Sequence, residues 1–243
     1  MTHVKNTEAF TRLIGFCSGY GGKYNPGRPT LQIDALVNKV IETQSAMEQV
    51  KVAKAEYDND VNQRKQTFDQ LSRLVSSILR TLEASGAKPE KLDDARSFAH
   101  QLIGSSPKNR APIPSDQMEQ LVKKATVQRS ALQLAYVSKA DSFSRLVKAV
   151  NTEPLYQANE TMLSPEGLEA KVEELNHLNR QVADARARWS KALIERNQLM
   201  YGSEVSMTKT AQAVKKYVRA IFGHDSEQYA LVKSLMFNQP PKR

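Results

Sequence analysis

Four basic residues stand where apolar side chains are expected: Lys54, Arg64, Arg186 and Arg196. Each lies on a stripe whose other members are mostly apolar. A charge there either extends to water over its own methylene stem or finds a partner. The structural reading has the stems covering apolar surface while the heads pair with neighbours such as Asp58, Asp60 or Glu195. The functional reading is a pair of pseudo-symmetric anion sites, or an interface for an acidic partner. A second cluster comprises Lys209, Lys215, Lys216 and Arg219, with no Asp or Glu between Val205 and His224. Lys215 and Arg219 are one helical turn apart with Lys216 beside them, a basic edge that suits nucleic acid as well as solvent. Tyr217 offers it a stacking surface, and is equally a core residue beside Val214, Val218 and Ile221.

Other residues that could do chemistry lack the spacing for it. Ser18-Gly19-Tyr20-Gly21-Gly22-Lys23 resembles a phosphate loop only in composition. Cys17 stands where its first glycine belongs, and Tyr24 where Ser or Thr belongs. His3, His100, His177 and His224 show no paired ligand spacing. Cys17, the single cysteine, has no neighbouring histidine and sits on an apolar face. No catalytic, cofactor or metal residue is expected, and the chain is read as a non-enzyme. One cysteine suits a reducing compartment, and neither a leader-like apolar run nor a membrane span is apparent, so the expectation is cytoplasmic. The formal charge of +9 is spread out: 14 basic against 12 acidic residues in 1–103, 6 against 3 in 104–141, and 15 against 11 in 142–243. A dedicated nucleic-acid binder concentrates its charge.

The element that positions the first cluster runs from Thr30 to Gly86, without glycine or proline between Leu31 and Ser85. Stepping by three and four gives Ile33, Leu36, Val40, Thr43, Met47, Val50, Lys54, Tyr57, Val61, Arg64, Phe68, Leu71, Val75, Ile78 and Leu82. This is the seam of a long packed helix, coiled-coil-like in period. It is one helix, or two with a break near Asp69–Gln70. A helix over 31–68 would be roughly 57 Å long at about 1.5 Å per residue. Thr7 is expected to cap a first helix ended by Gly19, Gly21 and Gly22. Thr30 is expected to cap the long one, Gly86 to stop it, and Pro89-Glu90 to open a short helix ending near Gly104.

The pattern recurs at an offset of 132 residues, with identities that include 24, 31, 36, 39, 40, 49, 50, 53, 55, 64 and 66. Lys54, Tyr57 and Arg64 map onto Arg186, Trp189 and Arg196. Phe10 to Ile14 resembles Phe143 to Val147 at 133, and Gly86 matches Gly223 at 137. The extra residues fall around Tyr201 to Glu204, as a helical stutter or, favoured by Gly202, a loop. Tyr24 and Tyr156 would staple the chain's approach to each long helix.

Tyr24-Asn25-Pro26 before a long helix, the Ala84-Ser85-Gly86-Ala87 stop, Glu153-Pro154-Leu155-Tyr156, and Lys215-Lys216-Tyr217-Val218 before Phe222-Gly223 resemble an uncharacterised bacterial family of internally duplicated all-helical proteins. The resemblance covers nearly the whole chain. Its motifs are structural punctuation, so it implies a fold and brings no site residues.

The expected architecture is all-α, an elongated bundle of two pseudo-symmetric long-helix units. Residues 1–103 form a first repeat, 104–141 a linker with a short helix capped by Ser115, 142–237 a second repeat, and 238–243 a tail. Residues 130–137 read as extended or irregular. The expected function is a non-enzymatic helical scaffold or protein-interaction module, through a protein partner or self-association. The alternative is a nucleic-acid- or ribosome-associated accessory protein that uses the basic edge.

Overall fold

In the computed structural model the backbone is described for residues 2–103, 118–202 and 204–238, and side chains for the same residues except 118–132. Every regular element among them is helical: α1 (Thr2–Gly19), α2 (Ile33–Asp69), α3 (Leu71–Ala84), α4 (Pro89–Ile103), α5 (Met118–Asn151), α6 (Pro165–Asn197), α7 (Met207–Phe222) and α8 (Glu227–Ser234). The chain is therefore an all-α bundle.

Every seam residue from Ile33 to Leu82 is buried or half-buried. The apolar period thus carries α2 and α3 against their neighbours. The stretch is two helices: at Gln70 the ladder tightens to a bond from the Gln70 amide to the Thr67 carbonyl at 3.3 Å. The seam passes the break in register, from Phe68 to Leu71. Gly86 and Gly223 follow α3 and α7 at φ +75° and +92°. That left-handed turn is open to glycine and strained for a residue with a Cβ.

Several boundaries differ from expectation. α1 begins at Thr2, not at Thr7, whose hydroxyl instead bonds back to the His3 carbonyl at 3.1 Å inside the helix. Thr30 lies within a 3-10 turn, Pro29–Leu31, and α2 starts at Ile33. Residues 130–137 are not irregular but part of α5, which runs through them. No glycine or proline interrupts 118–151, and helix-forming Lys, Gln, Ala and Leu fill it. The expected linker at 104–114 and the Ser115 cap lie outside the described residues, as does the tail beyond Asn238. Where an insertion was expected at Tyr201 to Glu204, Tyr201 and Gly202 close a π-helical turn, Gln198–Gly202, ahead of α7, and Ser203 lies outside the described residues. Ser164 caps α6: its hydroxyl accepts the Gly167 amide at 3.2 Å, and Pro165 fills the first helical position.

The chain divides into two compact units, Met1–Tyr57 with Ala185–Arg243, and Asp58–Asp184. The first packs Phe10, Leu13 and Cys17 of α1 and Leu36 and Val40 of α2 against Met207, Ala211, Val214 and Val218 of α7 and Val232 of α8. The second packs Phe143, Leu146 and Val150 of α5 and Leu168 and Leu175 of α6 against Val75, Ile78 and Leu82 of α3 and Ala95 of α4. The first unit thus joins the two ends of the chain, and the second is its contiguous middle. Burying one such Leu or Phe contributes roughly 1.5–3 kcal/mol.

Candidate functional site

The approach to each long helix is held alike. The Tyr24 hydroxyl donates to the Leu31 carbonyl at 2.7 Å, and the Tyr156 hydroxyl donates to the Leu163 carbonyl at 2.8 Å. Both rings are buried and both bonds span seven residues. A buried phenol needs such a partner, and here it ties the chain back to the turn that opens the helix. Both tyrosines therefore act within the fold.

The seam cations diverge. In the first unit Tyr57 of α2 stacks on Trp189 of α6, centroids 5.5 Å apart, with the Lys54 ammonium 5.2 Å from the Trp189 ring. Arg186 is half-buried on α6 in the same unit, and Arg196, also half-buried, reaches the Asn197 side-chain oxygen at 2.9 Å. In the second unit Arg64 is only 4% exposed. Its guanidinium donates to Gln133 at 3.3 Å and Asn179 at 3.4 Å, and lies 4.2 Å from the Tyr136 ring centroid. Asn179 is itself fixed by donating to the Tyr136 carbonyl at 3.3 Å. Amide oxygens and a ring face thus contact Arg64. Of the acidic residues nearby, Glu195 lies 3.8 Å from Lys191 and Glu56 lies 3.5 Å from Arg188.

On α7 the four cations separate by role. Lys215 donates to the carbonyls of Lys233 and Leu235 and lies 5.3 Å from the Phe237 ring. It satisfies carbonyls at the end of α8, as a cation at a helix C-terminus does. Burial pushes its ammonium below the usual lysine range. Lys209 is 3.9 Å from Glu204. Arg219 is exposed, 5.9 Å from the Tyr229 ring, and Lys216 is exposed.

No protein-family model, curated protein or solved structure matches the chain.

Gly21–Lys23 form a 3-10 turn after a helix, far from the strand-to-helix setting of a phosphate loop. Cys17 is 1% exposed and its thiol is pushed up to about 12, chiefly by burial. It behaves as a small apolar side chain. His3 Nδ1 lies 2.8 Å from the Tyr201 hydroxyl, which also accepts from Asn6 at 3.1 Å. Burial raises the Tyr201 phenol, opposed by the Asn6 bond and by Arg196. Asn6 also exchanges two bonds with the Asn238 backbone, at 2.7 and 3.0 Å, pinning the chain beyond α8. Among the described residues no group of three or more His, Cys, Asp or Glu is placed to hold a metal ion, and no helix is long and apolar enough to cross a membrane.

Sequence reasoning did not single out the outer face of α2. Ile41 is 58% and Val52 52% exposed, and Val37 and Ala55 are exposed on the same stripe. The signal was present, since β-branched apolar residues recur there at helical spacing away from the seam.

Proposed function

We propose that the chain is a non-enzymatic helical scaffold that works by protein–protein contact, with the outer face of α2 as its contact surface. The observation that carries this reading is the stripe Val37, Ile41, Gln44, Glu48, Val52, Ala55, exposed along its length while the opposite side of the same helix is packed. Two exposed apolar patches on one helix face, Val37 with Ile41 and Val52 with Ala55, flanking polar Gln44 and Glu48, suit an interaction face.

The stripe is nearly palindromic, which favours a second copy as the partner. Antiparallel pairing about an axis near Ala46–Met47 sets Val37 opposite Ala55, Ile41 opposite Val52, and Gln44 opposite Glu48. The same pairing sets Glu42 opposite Lys51, so charge complements itself. A twofold interface needs this self-complementarity. Sedimentation of the full chain across a concentration series tests it. The dimer fraction should rise with concentration, and Ile41→Glu should abolish it with unchanged helicity. A monomer at every concentration, or a dimer indifferent to Ile41→Glu, refutes the reading.

We further propose that the chain arose by duplication. Support comes from the matched tyrosine bonds, from α2 and α6 starting at residues 33 and 165, and from buried Phe10, Leu13 and Cys17 answering Phe143, Leu146 and Val150. The nucleic-acid reading is weakened by Lys215, whose ammonium is engaged at the end of α8. Exposed Lys216 and Arg219 remain, and salt-sensitive retention on RNA would favour that reading instead.

A further inference from the structure

In the second unit a concavity of about 670 Å³ opens where α3 begins, between its outer face and the turn leading into α6. That volume lies within the range of small-molecule sites, roughly 300–1,000 Å³. Leu74 and Leu163, both packed on the unit's core, and Met162 supply its apolar part, while Arg73 and Lys171 supply positive charge. Glu160 is the acidic residue at its edge.

The wall that carries Met162 is rigidly built. The Glu160 carbonyl accepts from the Leu163 amide at 2.8 Å and the Ser164 amide at 2.9 Å, and Tyr156 holds the Leu163 carbonyl. The turn lies so close to α6 that a Cβ on Gly167 would come within 1.8 Å of the Thr161 oxygen. Yet this fixed turn presents Met162 73% exposed. Packing does not require an apolar residue at that place. Thr30 stands 132 residues before Met162, so a turn of this kind tolerates a polar residue there.

The cations set the chemistry of the occupant. Arg73 makes no hydrogen bond or ion pair among the described residues. Lys171 pairs with Glu174 at 2.8 Å and is largely covered. An apolar floor beside a guanidinium suits a molecule with a hydrocarbon body and one negative head.

We propose that this concavity is a binding site for an aliphatic monocarboxylate. The chain lies on Leu74, Met162 and Leu163, and the carboxylate accepts from Arg73, with Lys171 adding charge. The test uses octanoate, octylammonium and acetate with the full chain, read by the methyl resonance of Met162 and by ligand-observed saturation transfer. Octanoate should give a saturable Met162 shift with a Kd of about 1 mM or below. Acetate lacks the tail and octylammonium has the wrong charge, so each should bind at least ~10-fold more weakly. Arg73→Ser and Met162→Thr change exposed side chains and leave the fold intact. Each should weaken octanoate at least ~10-fold, and Arg73→Ser should leave octylammonium unchanged. Absence of saturation by about 10 mM octanoate, equal binding of octylammonium, or indifference to Arg73→Ser overturns the proposal.

Discussion

Gly167→Ala sets two well-calibrated effects against each other. Gly167 is in the first turn of α6, where alanine ordinarily stabilises a helix by up to ~1 kcal/mol relative to glycine. Ala35 stands 132 residues earlier, at the same distance from the start of α2 as Gly167 from the start of α6. At 167, however, the new Cβ would lie 1.8 Å from the Thr161 carbonyl oxygen. The atom in the way is backbone, held by a turn whose bonds run from Leu163 and Ser164 to Glu160 and from Tyr156 to Leu163. Relief needs a shift of well over 1 Å, given that ordinary carbon–oxygen contacts begin near ~3.3 Å. Overpacking of this kind costs about 1–3 kcal/mol, and each buried hydrogen bond lost adds about 1. Net destabilisation of roughly 1–3 kcal/mol is expected after adding one lost bond and subtracting the propensity gain. Urea unfolding followed by circular dichroism measures it, with Ala35→Gly as the comparison. Ala35→Gly should cost no more than about 1 kcal/mol, the propensity difference alone. An unchanged or raised urea midpoint for Gly167→Ala would refute the steric account of this turn.

Tyr24→Phe and Tyr156→Phe should each lower stability by about 1 kcal/mol, and by similar amounts, because each removes one equivalent bond; a large difference in urea midpoint would count against equivalent roles. Arg64→Met should cost about 2 kcal/mol by stranding the Gln133 and Asn179 oxygens, while Arg196→Met, on a half-buried position, should cost under about 1; lost self-association with intact stability would instead assign either arginine to the interface. Because burial raises the Cys17 thiol to about 12 against an unfolded value near ~8.5, its contribution is complete below pH ~8.5. It then falls by about 1.4 kcal/mol per unit as pH rises toward the folded value. Cys17→Val, the residue type of Val150 at the matching place, should flatten urea midpoints between pH ~9 and ~10, leaving the slope that Tyr24, also raised by burial, adds above ~10. An unaltered slope would show that the thiol is not the titrating group.

What could be read in advance followed from local period and punctuation. The seam from Ile33 to Leu82, the Gly86 stop, and the tyrosine staples all depend on residues close in sequence. The length of α5 was legible by the criterion applied to residues 31–85, the absence of glycine and proline, yet the weak alternation over 130–137 was given more weight. Arg64 and Arg196 occupy matching sequence positions and meet different surroundings. Arg64 is enclosed by Gln133, Tyr136 and Asn179, whose approach is decided by tertiary packing. The acid-accepting concavity was hidden for the same reason: Arg73 and Leu74 meet Met162 only once α3 and the α6 turn are in place. The exposed stripe of α2 shows as a helical-period pattern too, but apolar period alone does not say which of two stripes is packed and which is left at the surface.

The composition of the first unit has a consequence for biogenesis. Phe10, Leu13 and Cys17 find their apolar partners among Met207, Val214, Val218 and Val232, some two hundred residues later in synthesis. The intervening unit, Asp58–Asp184, is contiguous and can condense as soon as it leaves the ribosome. Until α7 and α8 emerge, α1 keeps a greasy face uncovered, and the wide sequence separation slows closure. A released chain ending at Asp184 should therefore protect the middle unit against protease while α1 is still cut.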